Sequence, residues 1–294
     1  MGKKNKHKEQ LPEGMSRRQA KLEARAAERA KLDKDPRPYQ GLAMEADLVA
    51  MQEFIPSATA PLQLKDGSTV TLCTVLPGAV AALRREDGEA LVALQVAAHS
   101  HNPGRDLAHT LSWVTAAAPG ETLGSAAADG SQPEITELID PDTQLDITVY
   151  NDFSWWIPEG GAVDPQYAHT LKQANDSLMP SAAAGLGWWI DAGDKAHIRW
   201  VRTDAEEPLL QALARVSAAG KLHLGEDTKF AGVFRTHGVV VPVFDLDPTA
   251  APEEFVAPLA QLDETLKAAF SDEPLTAAER RKLENIKSRQ VTIR

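Results

Sequence analysis

The chain has 294 residues, of which 43% are hydrophobic and 25% are charged, a balance typical of soluble globular proteins with room for two domains. Its single cysteine, Cys73, excludes an internal disulfide and a cysteine-based zinc cluster, and it agrees with a reducing cytosol. No apolar run approaches the roughly 20 residues of a membrane-spanning helix, and no apolar segment follows the basic N-terminus as in a secretory signal. We therefore expect a cytoplasmic protein that does not enter a membrane.

Charge is divided unevenly along the chain. The net charge is −11, but residues 1–38 hold 12 Lys or Arg against 6 Asp or Glu, whereas the other 256 residues hold 19 against 36. Residues 275–294 reverse the sign again, with 6 basic and 2 acidic side chains. An acidic body repels a nucleic-acid backbone, and a basic segment attracts one. Any contact with nucleic acid is therefore expected at the ends of the chain.

The first region, residues 1–38, is predicted to be a basic arm. Its first 15 residues are lysine-rich without an apolar period, which predicts disorder. Ser16 is a suitable N-cap for a following helix of strong helix formers. Leu22 and Leu32 are the only large apolar residues of that helix, so it is either solvated or completed by a partner. The sequence "DPRPY" ends it.

Residues 39–163 are predicted to form a first α+β domain. The pattern of apolar periods and turn residues predicts helices over residues 41–54, 78–86 and 105–118, a hairpin around the turn 65–68, and strands over residues 89–99, 144–150 and 153–157.

Residues 164–272 are predicted to form a second α+β domain, followed by a short basic C-terminal tail, residues 273–294. The same patterns predict helices over residues 165–179, 207–219 and 253–270, with Gly220 at the C′ position of the middle one, and hairpins over residues 185–203 and 228–246.

A short repeat suggests that the two domains are related by duplication. The sequence "FIPSATAPL" at residues 54–62 returns as "LMPSAAAGL" at residues 178–186. In both places a helix runs into a proline, then Ser-Ala, then strands, and a proline-led helix is expected next, at Pro77 and Pro208. The alternative is two unrelated helix-to-strand junctions that use proline in the same way. We interpret the pattern as an internal duplication, with the repeat as a folding junction.

Three histidines are the strongest candidates for a metal site. His99 and His101 would share one face if they lay on a strand, and His109 on the following helix could return towards them, with Asp106 nearby. The alternative is a solvated polar loop, because histidines at a surface need no ligand.

Other chemical motifs are weak or missing. The aspartate pairs in "DPDTQLD" and "FDLDP" are more typical of turns and strand ends than of a cation site. The sequence has no Walker loop, no Gly-x-Gly-x-x-Gly motif and no Gly-x-Ser-x-Gly elbow. Cys73 lies in an apolar strand, which indicates a buried, unreactive thiol. No cofactor and no small-molecule ligand are predicted.

Two tryptophan pairs, at residues 155–156 and 188–189, would each place one indole on either side of a strand. One indole of each pair should then enter a core while the other covers a second surface. The acidic surroundings argue against base stacking, so we expect a contact between the two domains.

The basic arm is the most informative functional feature, because such segments bind phosphate backbones with little sequence preference. The alternatives are a solubility tail or an arm folded on the acidic body of the same chain. The candidate binding residues are Lys3, Lys4, Lys6, Lys8, Arg17, Arg18, Lys21, Arg25 and Arg29.

Several stretches carry a resemblance to a known family: residues 11–30, residues 35–60, "GLGWWIDAG" and the terminal "SRQVTIR". Together they resemble an uncharacterised family of actinobacterial cytoplasmic proteins, some of which bear labels related to the SecA translocase or to a topoisomerase. The nucleotide-binding loops of a translocase motor and the tyrosine context of a topoisomerase are both missing from this sequence. The resemblance therefore implies no activity and gives no residue a role.

The sequence as a whole predicts an α+β protein of two related domains that binds rather than catalyses. Its arm would contact RNA, a ribosome or an acidic protein partner. The alternative is a metal-dependent enzyme with its site at His99, His101 and His109. Oligomeric state is not determined by any of these features.

Overall fold

The computed structural model of the protein describes residues 34–158 and 165–292 together with Gln19. Over these ranges the chain forms two mixed α and β units, each built on its own sheet. The predicted α+β class is therefore confirmed. Most of the basic arm and the predicted boundary at residues 163–164 lie outside the described residues.

The first unit contains a mixed six-stranded sheet in the order β5-β3-β4-β2-β1-β6. All its strand pairs are antiparallel except β2 and β4, which are parallel. Its elements are α1 (Glu45–Glu53), β1 (Ala58–Gln63), β2 (Thr69–Cys73), β3 (Ala82–Arg84), β4 (Ala90–Ala93), α2 (Pro103–Ala116), β5 (Thr122–Leu123), α3 (Ile135–Leu138) and β6 (Thr148–Val149), with 3₁₀ turns at Pro77–Ala79 and Ser154–Trp156.

The second unit contains five antiparallel strands in the order β10-β11-β9-β8-β7, and the two-residue β12 extends the sheet by pairing parallel with β10. Its elements are α4 (Pro165–Asp176), β7 (Ser181–Ala184), β8 (Gly187–Asp191), β9 (Ala196–Arg199), α5 (Glu206–Ala218), β10 (Lys229–Thr236), β11 (Val239–Leu246), a 3₁₀ turn at Pro252–Phe255, α6 (Val256–Ala269), α7 (Ala277–Ser288) and β12 (Val291–Thr292).

Local chemistry explains where several elements begin and end. The Asn102 side chain accepts a hydrogen bond from the Arg105 amide, and Pro103 follows at the first helical position, so α2 begins there. Gly220, with a φ of +71°, follows the last residues of α5 in the left-handed conformation, as predicted. Asp66 and Gly67 form the turn between β1 and β2, where the Asp66 carboxylate accepts from the Ser68 amide.

The second sheet is buried on both of its faces. Trp189 faces a core formed by the second sheet and helices α5, α6 and α7. Its neighbours Trp188 and Ile190 face the other way and pack with the core of the first unit. Alternating side chains of a strand point to opposite faces, so β8 serves two cores at once. The predicted domain contact of the second tryptophan pair is confirmed.

Helix α1 packs between the two units and is accordingly apolar on most of its surface. Leu48, Val49 and Met51 are fully buried in the first core. At its end, Phe54 meets Phe234 of β10 edge to face, with ring centroids 6.5 Å apart. The Arg199 guanidinium of β9 lies 5.5 Å from the Phe54 ring centroid.

The prediction of a helix over residues 78–86 is wrong. Gly78 and Ala79 have φ values of +71° and +51°, which interrupt a right-handed helix after one 3₁₀ turn. The chain then continues as β3, which pairs antiparallel with β4.

The prediction of a strand over residues 153–157 is also wrong. Phe153 stacks on Trp156, with centroids 4.6 Å apart, and the segment forms a 3₁₀ turn. The Trp155 indole donates to Ser57 Oγ at 2.9 Å and the Trp156 indole to the Val75 carbonyl at 3.0 Å. Both indoles therefore donate their N–H groups to acceptors of the first unit.

An internal duplication is not shown by the two topologies. Both units do run from a helix through Pro56 or Pro180 into a strand, as expected. However, β2 and β4 pair in parallel, whereas the corresponding neighbours β9 and β11 are antiparallel. Helix α5 also has no counterpart between β2 and β3.

The predicted basic tail is folded into the second unit. Leu283 and Ile286 of α7 are buried in the second core, and β12 completes the sheet edge. Thr276 and Glu279 form a capping box at the start of α7. Only its exposed face, including Arg281 and Lys282, remains basic surface. Over the described residues, no helix is both long enough and apolar enough to traverse a bilayer.

We predict that Asp47 of α1 destabilises the protein at neutral pH. Burial raises the pKa of its carboxyl from 3.8 to about 6, so the folded state bears a cost above pH 6 that disappears as pH falls towards 4. Allowing for partial exposure and loss of a first-turn charge, Asp47→Asn should raise the free energy of unfolding at pH 8 by about 1 kcal/mol. The gain should vanish at pH 4. Urea unfolding at both pH values measures it.

Asp66→Asn is the control of opposite sign. Hydrogen bonds from the Ser68 hydroxyl and amide lower the pKa of the Asp66 carboxyl. Its contribution to stability is therefore present at pH 8 and lost as pH falls through the folded pKa. An Asp47→Asn variant that is less stable than the parent at pH 8 would contradict the assignment.

Candidate functional site

A cleft with a volume of about 700 Å³ lies between the two units. Five segments form its walls: the strap, which we define as residues 34–38; the end of α1; the loop between β4 and α2; the start of α5 at Glu206; and the turn between β10 and β11. Clefts between domains are a preferred place for ligands and partners. The cleft is therefore the candidate functional site.

The strap is fixed to both units by Arg37. Its guanidinium forms two hydrogen bonds to the buried Glu45 carboxylate of α1, at 2.6 and 2.7 Å. Nη2 also donates to the Thr203 carbonyl of the second unit at 2.6 Å. The Asp35 carboxylate also accepts a hydrogen bond from the Arg37 amide at 2.9 Å, which stabilises the backbone conformation of the strap just before Arg37. A bidentate arginine of this kind sets the orientation as well as the position of a segment.

Two glycines let the strap lie against the backbone of each unit. A Cβ on Gly238 would lie 2.2 Å from the Pro36 carbonyl oxygen, and a Cβ on Gly104 would lie 2.7 Å from the Pro38 carbonyl oxygen. His237 and Gly238 form the two-residue turn between β10 and β11, with φ values of +47° and +77°. The strap thus lies so close to the backbone at positions 104 and 238 that only glycine leaves room for it there.

Beneath the strap, Tyr39 connects the cleft to the first core. It is 1% exposed, and its hydroxyl donates to Gln52 Oε1 at 2.7 Å. Burial, with smaller contributions from Asp106 and Glu53, raises the pKa of its phenol. The His237 ring lies 5.7 Å from the Tyr39 ring, and its Nε2 is 2.6 Å from Glu53 Oε1. This contact joins α1 directly to the hairpin turn of the second unit.

The loop that carries His99 and His101 is shaped by Asp106. The Asp106 carboxylate accepts from the Ser100 amide and from the Ala128 amide, both at 2.8 Å. It is almost fully buried at the first turn of α2, where a carboxylate is favourable. Asp106 therefore stabilises the loop rather than forming part of a ligand set.

The structure brings His99 and His101 to the cleft but not His109. His99 Nδ1 lies 2.7 Å from the Ser100 carbonyl, and His101 is exposed at the same wall. His109 instead points to Gln132, with its Nδ1 3.2 Å from that amide nitrogen. Over the described ranges, no three His, Cys, Asp or Glu side chains gather into a group able to hold a metal ion.

The strap and β12 both contact the hairpin of β10 and β11 near the end of β10. Residues 291–292 of β12 pair with Phe234 and Arg235, while the strap contacts Gly238 just beyond. The start of α5 lies here too: Arg235 and Gln290 bond to Glu206. Lys287 of α7 bonds to Glu207.

Of the predicted arm residues, Lys3, Lys4, Lys6, Lys8, Arg17, Arg18, Lys21, Arg25 and Arg29 all lie outside the described ranges. The sequence did not indicate the cleft residues Arg235 and His237. A two-residue His-Gly link between apolar strands was the available signal for the turn. Its contact with the strap joins residues about 200 positions apart, which no local pattern reports.

The chain belongs to a family described only as "Family of unknown function (DUF5926)", whose model matches residues 38–294. The resemblance to an uncharacterised family is thereby confirmed. The matched range begins at the end of the strap, so the arm residues that also suggested the resemblance lie outside it. No curated protein and no solved structure matches the chain.

We predict that a single methyl group added at Gly238 weakens the contact between the strap and the second unit. Gly238→Ala places a Cβ in the left-handed region and against the Pro36 carbonyl, and should cost about 3 kcal/mol of unfolding free energy. Gly193→Ala has a similar φ of +88° and open space, so it should cost only about 1 kcal/mol. Gly104→Ala places a Cβ against the Pro38 carbonyl at a position with helical backbone, so it tests that contact without left-handed strain. Equal losses in Gly238→Ala and Gly193→Ala would show that the strap contact contributes nothing.

Proposed function

We propose, for this member of a family without an assigned function, that the protein is a non-catalytic cytoplasmic binding protein whose basic arm contacts RNA, including RNA at a ribosomal surface. The body supplies a fixed base for the arm, and residues 1–38 supply the phosphate contacts. An acidic protein as the partner is the competing outcome, which the experiment below separates.

The charge distribution supports this proposal. The arm holds a twofold excess of Lys and Arg, while the remaining chain is strongly acidic. Two such parts of opposite sign direct a polyanion to the arm and away from the body. The lysines of such a basic segment can neutralise successive phosphates without reading bases, which predicts weak sequence preference.

The observation that carries the proposal is the anchoring of the strap. Arg37 ties the last residues of the arm to Glu45 and to the Thr203 carbonyl, so residues 34–38 have a fixed position on the body. The end of α7 reaches the same side through Lys287 and Glu207. Exposed Arg281, Lys282 and Arg289 of that C-terminal segment can extend the positive surface that a polyanion would meet.

The test compares two variants of equal net charge. Changing Lys3, Lys4, Lys6 and Lys8 to Ser removes four charges from the arm, and changing the exposed lysines Lys65, Lys172, Lys221 and Lys229 to Ser removes four from the body. Fluorescence anisotropy with a labelled single-stranded RNA, in salt from about 50 to 200 mM, gives the slope of log K against log salt. The arm variant should reduce the magnitude of that negative slope by about 3, and the body variant should leave the slope nearly unchanged.

Three results would overturn the proposal. The first is an absence of salt-dependent RNA binding by the parent protein. The second is equal loss in both variants, which would indicate a net-charge effect only. The third is recovery, from lysate treated with ribonuclease, of the same acidic protein partner by the parent but not by the arm variant, together with no RNA affinity.

A further inference from the structure

We propose that the cleft between the two units is a binding site for a small molecule that carries a phosphate group. The sequence predicted no small-molecule ligand, and this site does not use the arm lysines at positions 3, 4, 6 and 8. The inference rests on which polar groups of the cleft wall already have partners and which do not.

The acidic side chains of the cleft are already engaged within the wall. Glu53 contacts His237, and the Glu206 carboxylate accepts from Arg235 and Gln290. Asp35 accepts from the Arg37 amide of the strap. Of these contacts, that of the Arg235 guanidinium offsets the charge of Glu206 and so lowers the repulsion of an anion at that part of the wall.

Several hydrogen-bond donors of the same wall are still available. The Arg235 side chain lines the cleft and is 42% exposed, with Nη2 held by Glu206. The Lys34 ammonium and the His101 ring are exposed at the cleft. Gln52 accepts from Tyr39 through Oε1, which leaves its amide nitrogen as a donor. An anion with several oxygens could accept hydrogen bonds from several of these donors at once.

The Arg235 guanidinium is also preorganised for such a ligand. One edge is fixed by Glu206, so its orientation is set before any ligand binds. A planar guanidinium whose plane is fixed in this way suits an oxyanion with adjacent oxygens. Phosphate offers three such oxygens and two charges, which suits the spread of donors from Arg235, Lys34 and His101 better than a single carboxylate does.

The rest of the cleft has room and suitable surface for the remainder of a ligand. Its volume of about 700 Å³ lies within the range of small-molecule sites. Leu94, Val96 and Pro103 also line the cleft and supply apolar surface. A separate space of about 30 Å³ between Tyr39, Gln52 and Thr110 is large enough for one bound water. The inferred ligand is thus a phosphorylated metabolite with an apolar or planar part.

The experiment uses the full chain and two trianionic probes, inorganic pyrophosphate and citrate, in isothermal titration calorimetry at low salt. We expect one saturable site for pyrophosphate and at least tenfold weaker binding of citrate. Arg235→Gln should weaken pyrophosphate binding about tenfold or more, since a charge-assisted hydrogen bond is lost. His101→Ala, an exposed residue whose loss should leave the fold intact, should weaken it about threefold to tenfold.

Two control variants distinguish the cleft from other positive surface. His169→Ala changes an exposed histidine on α4 that does not line the cleft, and it should bind as the parent does. The Lys3, Lys4, Lys6 and Lys8 to Ser variant should also retain pyrophosphate binding, even where it loses RNA. The two proposals can thus fail separately.

Each remaining outcome overturns the inference. No saturable pyrophosphate binding would remove the site, and unchanged affinity in both Arg235→Gln and His101→Ala would place it elsewhere. Equal affinity for citrate would show an anion site without phosphate preference. Loss of binding in the arm variant alone would assign the probe to the arm. Circular dichroism of each variant confirms that the fold is retained.

Discussion

The second sheet is buried on both faces, and the rest of the molecule is arranged around this requirement. Helices α5, α6 and α7 cover one face, and the core of the first unit covers the other. Neighbouring residues such as Trp188 and Trp189 therefore belong to different cores. Because side chains alternate strictly along a strand, a shift of one residue in β8 would exchange these faces and disrupt both cores. The placement of the two units follows from this register.

The cleft is a consequence of the same arrangement. The units meet through the apolar face of the second sheet, and beyond its rim their surfaces separate. The strap lies across that separation, held by Arg37 and by the glycines at 104 and 238. Polar contacts such as Glu53 with His237 occur at this rim, where apolar packing ends. The site thus has rigid walls from both units, and a short segment of the arm closes one side.

The sequence predicted the elements that depend on local chemistry and missed those set by distant contacts. The glycine at the end of α5, the turn at Asp66 and Gly67, and the two-sided role of residues 188–189 all follow from backbone preference and alternation. The helix expected after Pro77 failed because pairing with β4 outweighs helix propensity there. The strand expected at residues 153–157 failed because both indoles found hydrogen-bond partners within the first unit. For the candidate site, the histidine loop could be named, but Arg235 and the strap contact required the tertiary structure.

The meeting of residues 34–38 and 291–292 beside the end of β10 has a topological consequence. The first and last described segments of the body attach to the same hairpin, at Gly238 and at Phe234, so the two ends of the body lie close together. Chains with adjacent ends tolerate having those ends joined and new ones opened elsewhere. A circular permutant opened at the exposed turn between β1 and β2 would keep every described strand pairing. In that permutant the basic arm could be omitted, or moved to a different corner of the molecule, without disturbing either core.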